Sequence, residues 1–240
     1  MAKALHQQVS DYIRTRILQG EYPVGSQIPT ENELAEILHV SRPTIRQALD
    51  GLAHEGYLER VKGRGTFVTQ PKVLHESTSF ITGYRAESEK NNRVMHTRVL
   101  ELHVERAKEH VCEALKLPAN ARVTKLVRVR YLEGYHDNAP VVYTTVYVPY
   151  RLFPDMQELD FGDASFYDAL SERNLSVWHA SRKLEVVPVP KEIAVELKTS
   201  PFEPAIFVTS VGETKEKIPV EYANSYYPAG ISSFQVEIYR

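Results

Sequence analysis

The hydrophobic period of the chain changes near residue 57, and no other feature constrains the fold as strongly. Up to residue 56 the apolar side chains recur at helical spacing. Leu5, Val9, Tyr12, Ile13 and Ile17 line one face of a first segment, which Gly20 and Pro23 end. Thr30 and Glu33 fit a capping box ahead of Leu34, Ala35 and Leu38, so a short second helix is expected there. Ser41 is placed to cap a third helix that tolerates Pro43 in its first turn, buries Ile45, Ala48, Leu49 and Leu52, and stops at Gly56. From Tyr57 the pattern turns β-prone, with runs 57–61 and 66–69 joined by Lys62-Gly63-Arg64-Gly65, a hairpin tip. Two short helices joined by a tight turn and followed by a small hairpin describe a winged helix-turn-helix.

The second half mixes the two periods. Gln70-Pro71-Lys72 marks a boundary, and residues 71–78 read as a linker. Strand candidates follow at 97–104, 122–132, 140–148, 177–188, 204–214, 217–227 and 231–239, with helix candidates at 106–116, 164–173 and 190–198. Short connections such as Asp137-Asn138-Ala139 and Lys215-Glu216-Lys217 favour antiparallel pairing, so an α+β domain is expected rather than a doubly wound one. At 240 residues and 42% hydrophobic content the chain can bury two such cores. Its one cysteine, Cys112, excludes an internal disulfide framework and a multi-cysteine metal site. No apolar run approaches the roughly 18 residues of a membrane span, so a cytoplasmic protein without membrane contact is expected. His96, His103 and His110 are seven apart but straddle a strand and a helix, and no metal site is expected. There is no G-x-S-x-G elbow, phosphate-binding glycine loop or H-E-x-x-H, so neither a catalytic residue nor a cofactor is assigned.

A recognition helix meets base edges with its N-terminal residues. Here that end carries Ser41, Arg42, Pro43, Thr44 and Arg46. Arg42 can offer a donor fork to guanine O6 and N7, Thr44 can reach a base or a phosphate, and Arg46 is placed to hold the backbone. Ser41 caps the helix or meets a phosphate. In the wing, Arg60, Lys62 and Arg64 are basic, and Gly63 and Gly65 let the backbone approach a groove. The same hairpin alone is compatible with an ordinary solvated tip. Residues 1–70 hold eight basic side chains (Lys3, Arg14, Arg16, Arg42, Arg46, Arg60, Lys62, Arg64) and eight acidic ones (Asp11, Glu21, Glu31, Glu33, Glu36, Asp50, Glu55, Glu59). Binding must therefore rest on a local cluster present in two copies, with salt-dependent affinity.

These residues resemble the GntR family of bacterial transcription regulators. The resemblance rests on Gly25 to Ala35, on Val40-Ser41-Arg42-Pro43-Thr44-Ile45-Arg46-Gln47-Ala48-Leu49, and on Leu52, Gly56-Tyr57-Leu58 and Gly63-Arg64-Gly65-Thr66-Phe67-Val68. It implies a homodimer on a palindromic operator, with Arg42, Thr44, Arg46 and the tip Gly63–Gly65 as DNA contacts. Asn32 stands where many members carry a DNA-contacting Arg. Arg128-Val129-Arg130, Pro140, Tyr147-Val148-Pro149, Ser165-Phe166-Tyr167, Pro219-Val220-Glu221-Tyr222 and Tyr226-Tyr227 are similar to the HutC-type subfamily. That subfamily's effector domain, the UTRA domain, has the antiparallel α+β fold of chorismate lyase. The expected organisation is a DNA-binding domain over 1–70, the linker, and an effector-binding and dimerisation domain over 79–240. The expected function is a repressor released by a small anionic metabolite. A sugar or amino-sugar phosphate is the first expectation, a carboxylate such as urocanate the alternative, and an enzyme of chorismate-lyase type the remote one.

Arg128 and Arg130 lie two apart on a strand and so share a face. Pattern alone leaves open a solvated face paired with glutamates or an anion site, because guanidinium binds phosphate and carboxylate bidentately. The resemblance favours the anion. Ser165 and Tyr167 open a helix whose N-terminal amides favour the same phosphate, although Ser165 can also serve only as a cap. Glu221 and Tyr227 share a strand face and suit sugar hydroxyls or an amine; Tyr143 is a weaker candidate, and Thr82 follows the linker where the family places a loop near the ligand.

Overall fold

A computed structural model describes residues 4–69, 72–75, 94–133 and 139–236. The chain divides into two compact units, residues 1–72 and 73–240.

In the first unit three helices form where the periodicity places them: α1 (Leu5–Leu18), α2 (Glu31–Leu38) and α3 (Arg42–His54). The Thr30 hydroxyl accepts the Glu33 N–H while the Glu33 carboxylate accepts the Thr30 N–H at 2.7 Å, a complete capping box. Ser41 caps α3 through the Thr44 N–H, and Pro43 lies in its first turn. Their buried stripes meet in one core of Val9, Ile13, Leu34, Ile45, Leu49 and Leu52, with Ile28, Leu58 and Val68 closing it. Strands β1 (Leu58–Val61) and β2 (Gly65–Val68) pair antiparallel as the wing. The segment before α2 fastens β2 on its other side, where the Val68 N–H donates to Ser26 and the Ile28 N–H donates to Thr66.

The second unit is built on a six-stranded antiparallel sheet in the order β4-β5-β6-β9-β8-β7. Its strands are β4 (Met95–Arg106), β5 (Arg122–Leu132), β6 (Pro140–Pro149), β7 (His179–Pro188), β8 (Pro204–Glu213) and β9 (Pro219–Pro228). One face carries α5 (Phe166–Ser171) and its approach, packed as Phe153, Met156, Phe161, Phe166 and Leu170 on Leu126, Val146 and Ala223. The other carries α4 (Glu109–Ala114) over Val123 and Tyr147, and α6 (Lys191–Leu197) over Ala205, Tyr143 and Tyr226. Cys112 is a buried packing residue of α4.

One expected feature is replaced. Part of the expected linker is strand: β3 (Val73–His75) pairs parallel with β10 (Ser232–Phe234). Val73 is buried beside Leu132, Val142 and Tyr227, so these three residues belong to the second core. The expected turn at 137–139 lies mostly outside the described residues.

Candidate DNA interface and candidate effector site

At the start of α3, Ser41 does double duty: besides capping, its hydroxyl lies 2.8 Å from that of Thr44. Thr44 is thereby oriented by the cap. Arg42 and Pro43 are exposed beside it, and Arg42 forms no ion pair among the described residues. Arg46 does not stand alone. Its guanidinium grips the Glu31 carboxylate, with Nη2 to Oε2 at 2.8 Å and Nε at 3.2 and 3.3 Å. Arg60 of the wing donates to the same carboxylate at 3.0 Å and also pairs with Asp50 at 2.9 Å. The Arg46 guanidinium, with Arg60 behind it, holds the Glu31 carboxyl below the ordinary range. Two of the expected DNA cations are thus neutralised within the unit and fix α2, α3 and the wing to one another. Arg42, Lys62 and Arg64 keep their charge toward solvent, with Arg64 stacked 5.7 Å from the Phe67 ring.

The wing tip requires its glycines. Gly63 and Gly65 have φ of +75° and +120°, where side chains are strained. A Cβ on Gly65 would also lie 2.3 Å from the Gln27 amide nitrogen, since Gln27 lies across the strand there. Gln27 and the Glu31 clamp were not read from the sequence; the acid is one among eight, and only its register on α2 marks it out.

Among the candidate effector residues the register decides which meet. Arg128 pairs with Thr144, and Thr144 with Ser225, so these three share one row and one face. Both arginines are buried, at 4% and 7% exposure. The rings of Phe161 and Phe166 lie 5.8 and 5.5 Å from the Arg128 guanidinium. Thr144 and Ser225 exchange a buried hydrogen bond of 3.1 Å. Four residues along β9 on the same face, roughly 13 Å away, stands Glu221, 1% exposed. Its carboxylate accepts the Tyr167 hydroxyl at 2.9 Å. Burial pushes the Glu221 carboxyl up, against the pull of Tyr167, Arg182 and Arg128. Burial and the neighbouring carboxylate push the Tyr167 hydroxyl up as well.

Two residues that sequence reasoning missed hold this end together. Gly212 pairs with Glu221 across the ladder, and a Cβ there would lie 2.6 Å from the Glu221 Cγ. The carboxylate rests where a side chain is missing, and a glycine inside a strand is the signal that could have found it. Arg182 of β7 supplies the cation facing Tyr167 and Glu221. Between Arg182 and Ala223, the buried Ser210 hydroxyl has no hydrogen-bond partner among the described residues.

Other candidates fall elsewhere. Tyr143 is on the opposite face, in register with Val129 and Tyr226 and packed under α6, so it does not join Arg128; strand parity places it there. Arg130 pairs with Val142, next to the Tyr143–Tyr226 pair, and Tyr227 continues that row. Tyr227 therefore stands at the Arg130 end, packed on His75 and Phe234, roughly 20 Å along the strand from Glu221. Ser165 caps α5 through the Asp168 N–H. Thr82 lies outside the described residues. Among the described residues no three His, Cys, Asp or Glu side chains gather as a metal site, and no helix is long and apolar enough to cross a membrane.

Comparison with known proteins gives two matches along the chain. Residues 5–68 match the bacterial regulatory proteins, gntR family, and residues 90–230 match the UTRA domain. The chain is 30% identical to the probable fructoselysine utilization operon transcriptional repressor of Escherichia coli K12, over 92% of this chain and 90% of that one. It is 28% identical to the mannosyl-D-glycerate transport/metabolism system repressor MngR of the same organism, over 94% and 92%. The fold is similar to that of PhnF from Mycobacterium smegmatis, with a TM-score of 0.81 over 96% of this chain and 99% of that one at 23% identity.

The buried acid generates a prediction. Because burial raises the Glu221 pKa, the unfolded chain loses that proton first as pH rises past the ordinary value of 4.5, and stability falls from there upward. Glu221→Gln keeps an acceptor for Tyr167 and cannot ionise. Its melting temperature should match the wild type below pH 4.5 and exceed it increasingly above. A difference that stays constant with pH would contradict the buried-acid reading.

Proposed function

The chain belongs to the gntR family of bacterial regulatory proteins, in its HutC-type branch with a UTRA domain, and from that membership we propose that it is a cytoplasmic repressor released by a sugar phosphate. The family consists of transcription regulators, not enzymes. The observation that carries the effector reading is the pair of buried arginines sharing one face with a buried carboxylic acid. Guanidinium groups bind phosphate and carboxylate bidentately, so two of them on one face suit the anionic end of a ligand. The acid lies where a hydroxyl or amine would be met once the anion is seated, across a floor of Thr144, Ser225 and Ser210. One end of the ligand is therefore anionic and the other a hydrogen-bond donor. Two relatives carry sugar derivatives in their names, fructoselysine and mannosyl-D-glycerate, which supports a sugar as the body of the ligand.

On the DNA side, Arg42 reads a base edge, Thr44 and Ser41 meet a phosphate, and Lys62 and Arg64 bring the wing to the groove around Gly63 and Gly65. Arg46, clamped by Glu31, orients α3 and adds little free charge. With so few cations unmatched among the described residues, one unit binds weakly, and two copies on a palindromic operator supply the affinity. Effector and operator then bind with reciprocally linked affinities.

A thermal-shift panel of hexose phosphates, amino-sugar phosphates, their unphosphorylated parents and urocanate tests the effector class. A ligand at 100 times its dissociation constant stabilises by about 2.7 kcal/mol. Stabilisation by the phosphorylated sugars, lost in Arg128→Ala with operator affinity kept, is the expected result. Stabilisation by urocanate alone would move the assignment to a carboxylate, and an unaltered response in Arg128→Ala would remove that residue from the site. For the DNA contact, Arg42→Ala should lower preference for the operator over random DNA by about 1–3 kcal/mol. Equal loss on both DNAs would make Arg42 a phosphate contact instead.

A further inference from the structure

Strand β7 ends the six-stranded sheet, and among the described residues nothing pairs with its outer edge. Ten residues of open backbone are a template for another strand, and folded chains usually blunt such an edge with charge, proline or a bulge. Here the edge is regular through Leu184 and Val186, which are 42% and 74% exposed. They are not isolated surface residues. Leu184 is in register with Val208, and Val186 with Ile206, which packs in the buried cluster of Val208, Tyr227 and Val142. The apolar layer of the sheet thus runs off its edge into solvent. On the other face of β7 the charges alternate, Lys183 and Glu185, which pair with each other at 2.9 Å.

We propose that β7 pairs antiparallel with β7 of a second copy, centred on Leu184, so that the two sheets join into one. Symmetry narrows the register. A two-fold axis that makes neighbouring antiparallel strands must be normal to the sheet, so each face continues into the same face of the partner and the axis passes through a residue position. Centring on Lys183 or Glu185 sets like charges directly opposite, and centring on Arg182 does the same with two guanidinium groups. Centring on Val186 leaves only five residues of β7 overlapping. Centring on Leu184 overlaps residues 180–188. It sets Leu184 against itself, Lys183 against the partner's Glu185 on both sides of the axis, and Arg182 beside the partner's Val186. The one Lys183–Glu185 salt bridge within each strand gives way to two cross-strand contacts of opposite charge, one on either side of a covered apolar strip. Because Arg182 also faces Tyr167 and Glu221, this seam adjoins the proposed effector face. The inference rests on the homodimer of the proposed function and adds where that dimer is joined.

Sedimentation of the full chain, with variants on the exposed edge, tests it. The wild type should be a dimer. Leu184→Lys, which puts two ammonium groups face to face, should weaken it by more than about tenfold. Lys183→Glu alone and Glu185→Lys alone should each weaken self-association, and mixing the two should restore a dimer, because each then finds opposite charge in the other. Under mild oxidation Leu184→Cys should form a covalent dimer, since residues opposite each other on the axis lie within disulfide range. Glu192→Cys, exposed on α6, should not. A wild-type dimer that Leu184→Lys leaves intact, with no cross-link through Leu184→Cys, would overturn the β7 seam and leave the dimeric repressor standing. A wild type that remains monomeric would overturn both.

Discussion

Two guanidinium groups buried on one face of an antiparallel sheet set the terms for the second unit. Charges taken out of water destabilise unless they are compensated, and arginine cannot release its proton to escape. The surroundings of Arg128 and Arg130 are arranged accordingly. The rings of Phe161 and Phe166 exclude water from Arg128 and offer their faces to it. Thr144 and Ser225 satisfy each other in the same row. Glu221 supplies a buried acid on the same face, and Gly212 makes room for its side chain.

The first unit solves a different electrostatic problem. It is nearly neutral, yet it must favour a polyanion. Its acids are used where they fix geometry: Glu33 in the capping box, Glu31 across Arg46 and Arg60, and Asp50 behind Arg60. Among the described residues, Arg42 at the tip of α3 and Lys62 and Arg64 at the wing form no ion pair. Exposed ion pairs contribute little to stability, of the order of 0–1 kcal/mol each. Their value here is in orientation, since one carboxylate ties together the two elements that would enter DNA.

Much of this was legible in the sequence where local chemistry decides. The caps at Thr30 and Ser41, the glycines of the wing and the ten-residue strands all follow from side chains and their immediate neighbours. Parity along β9 correctly separated Glu221 from Tyr222. Register between β5 and β6 is a long-range property that parity along one strand does not give, so the face of Tyr143 relative to Arg128 has no local signature. The parallel pairing of Val73–His75 with Ser232–Phe234 joins segments more than 150 residues apart and has no local signature. Gly212 and Arg182 acquire meaning only beside Glu221, and Glu31 only beside two arginines brought in by α3 and the wing.

The central claim is that one ligand at the arginine pair and one DNA site on the winged helix share a single equilibrium. Operator affinity measured by fluorescence anisotropy, at increasing concentrations of a sugar phosphate that the protein binds, tests this most directly. The account predicts that operator binding weakens to a limiting factor, and that saturating operator DNA weakens sugar-phosphate binding by that same factor. Operator affinity that stays constant while the ligand saturates its site would contradict it.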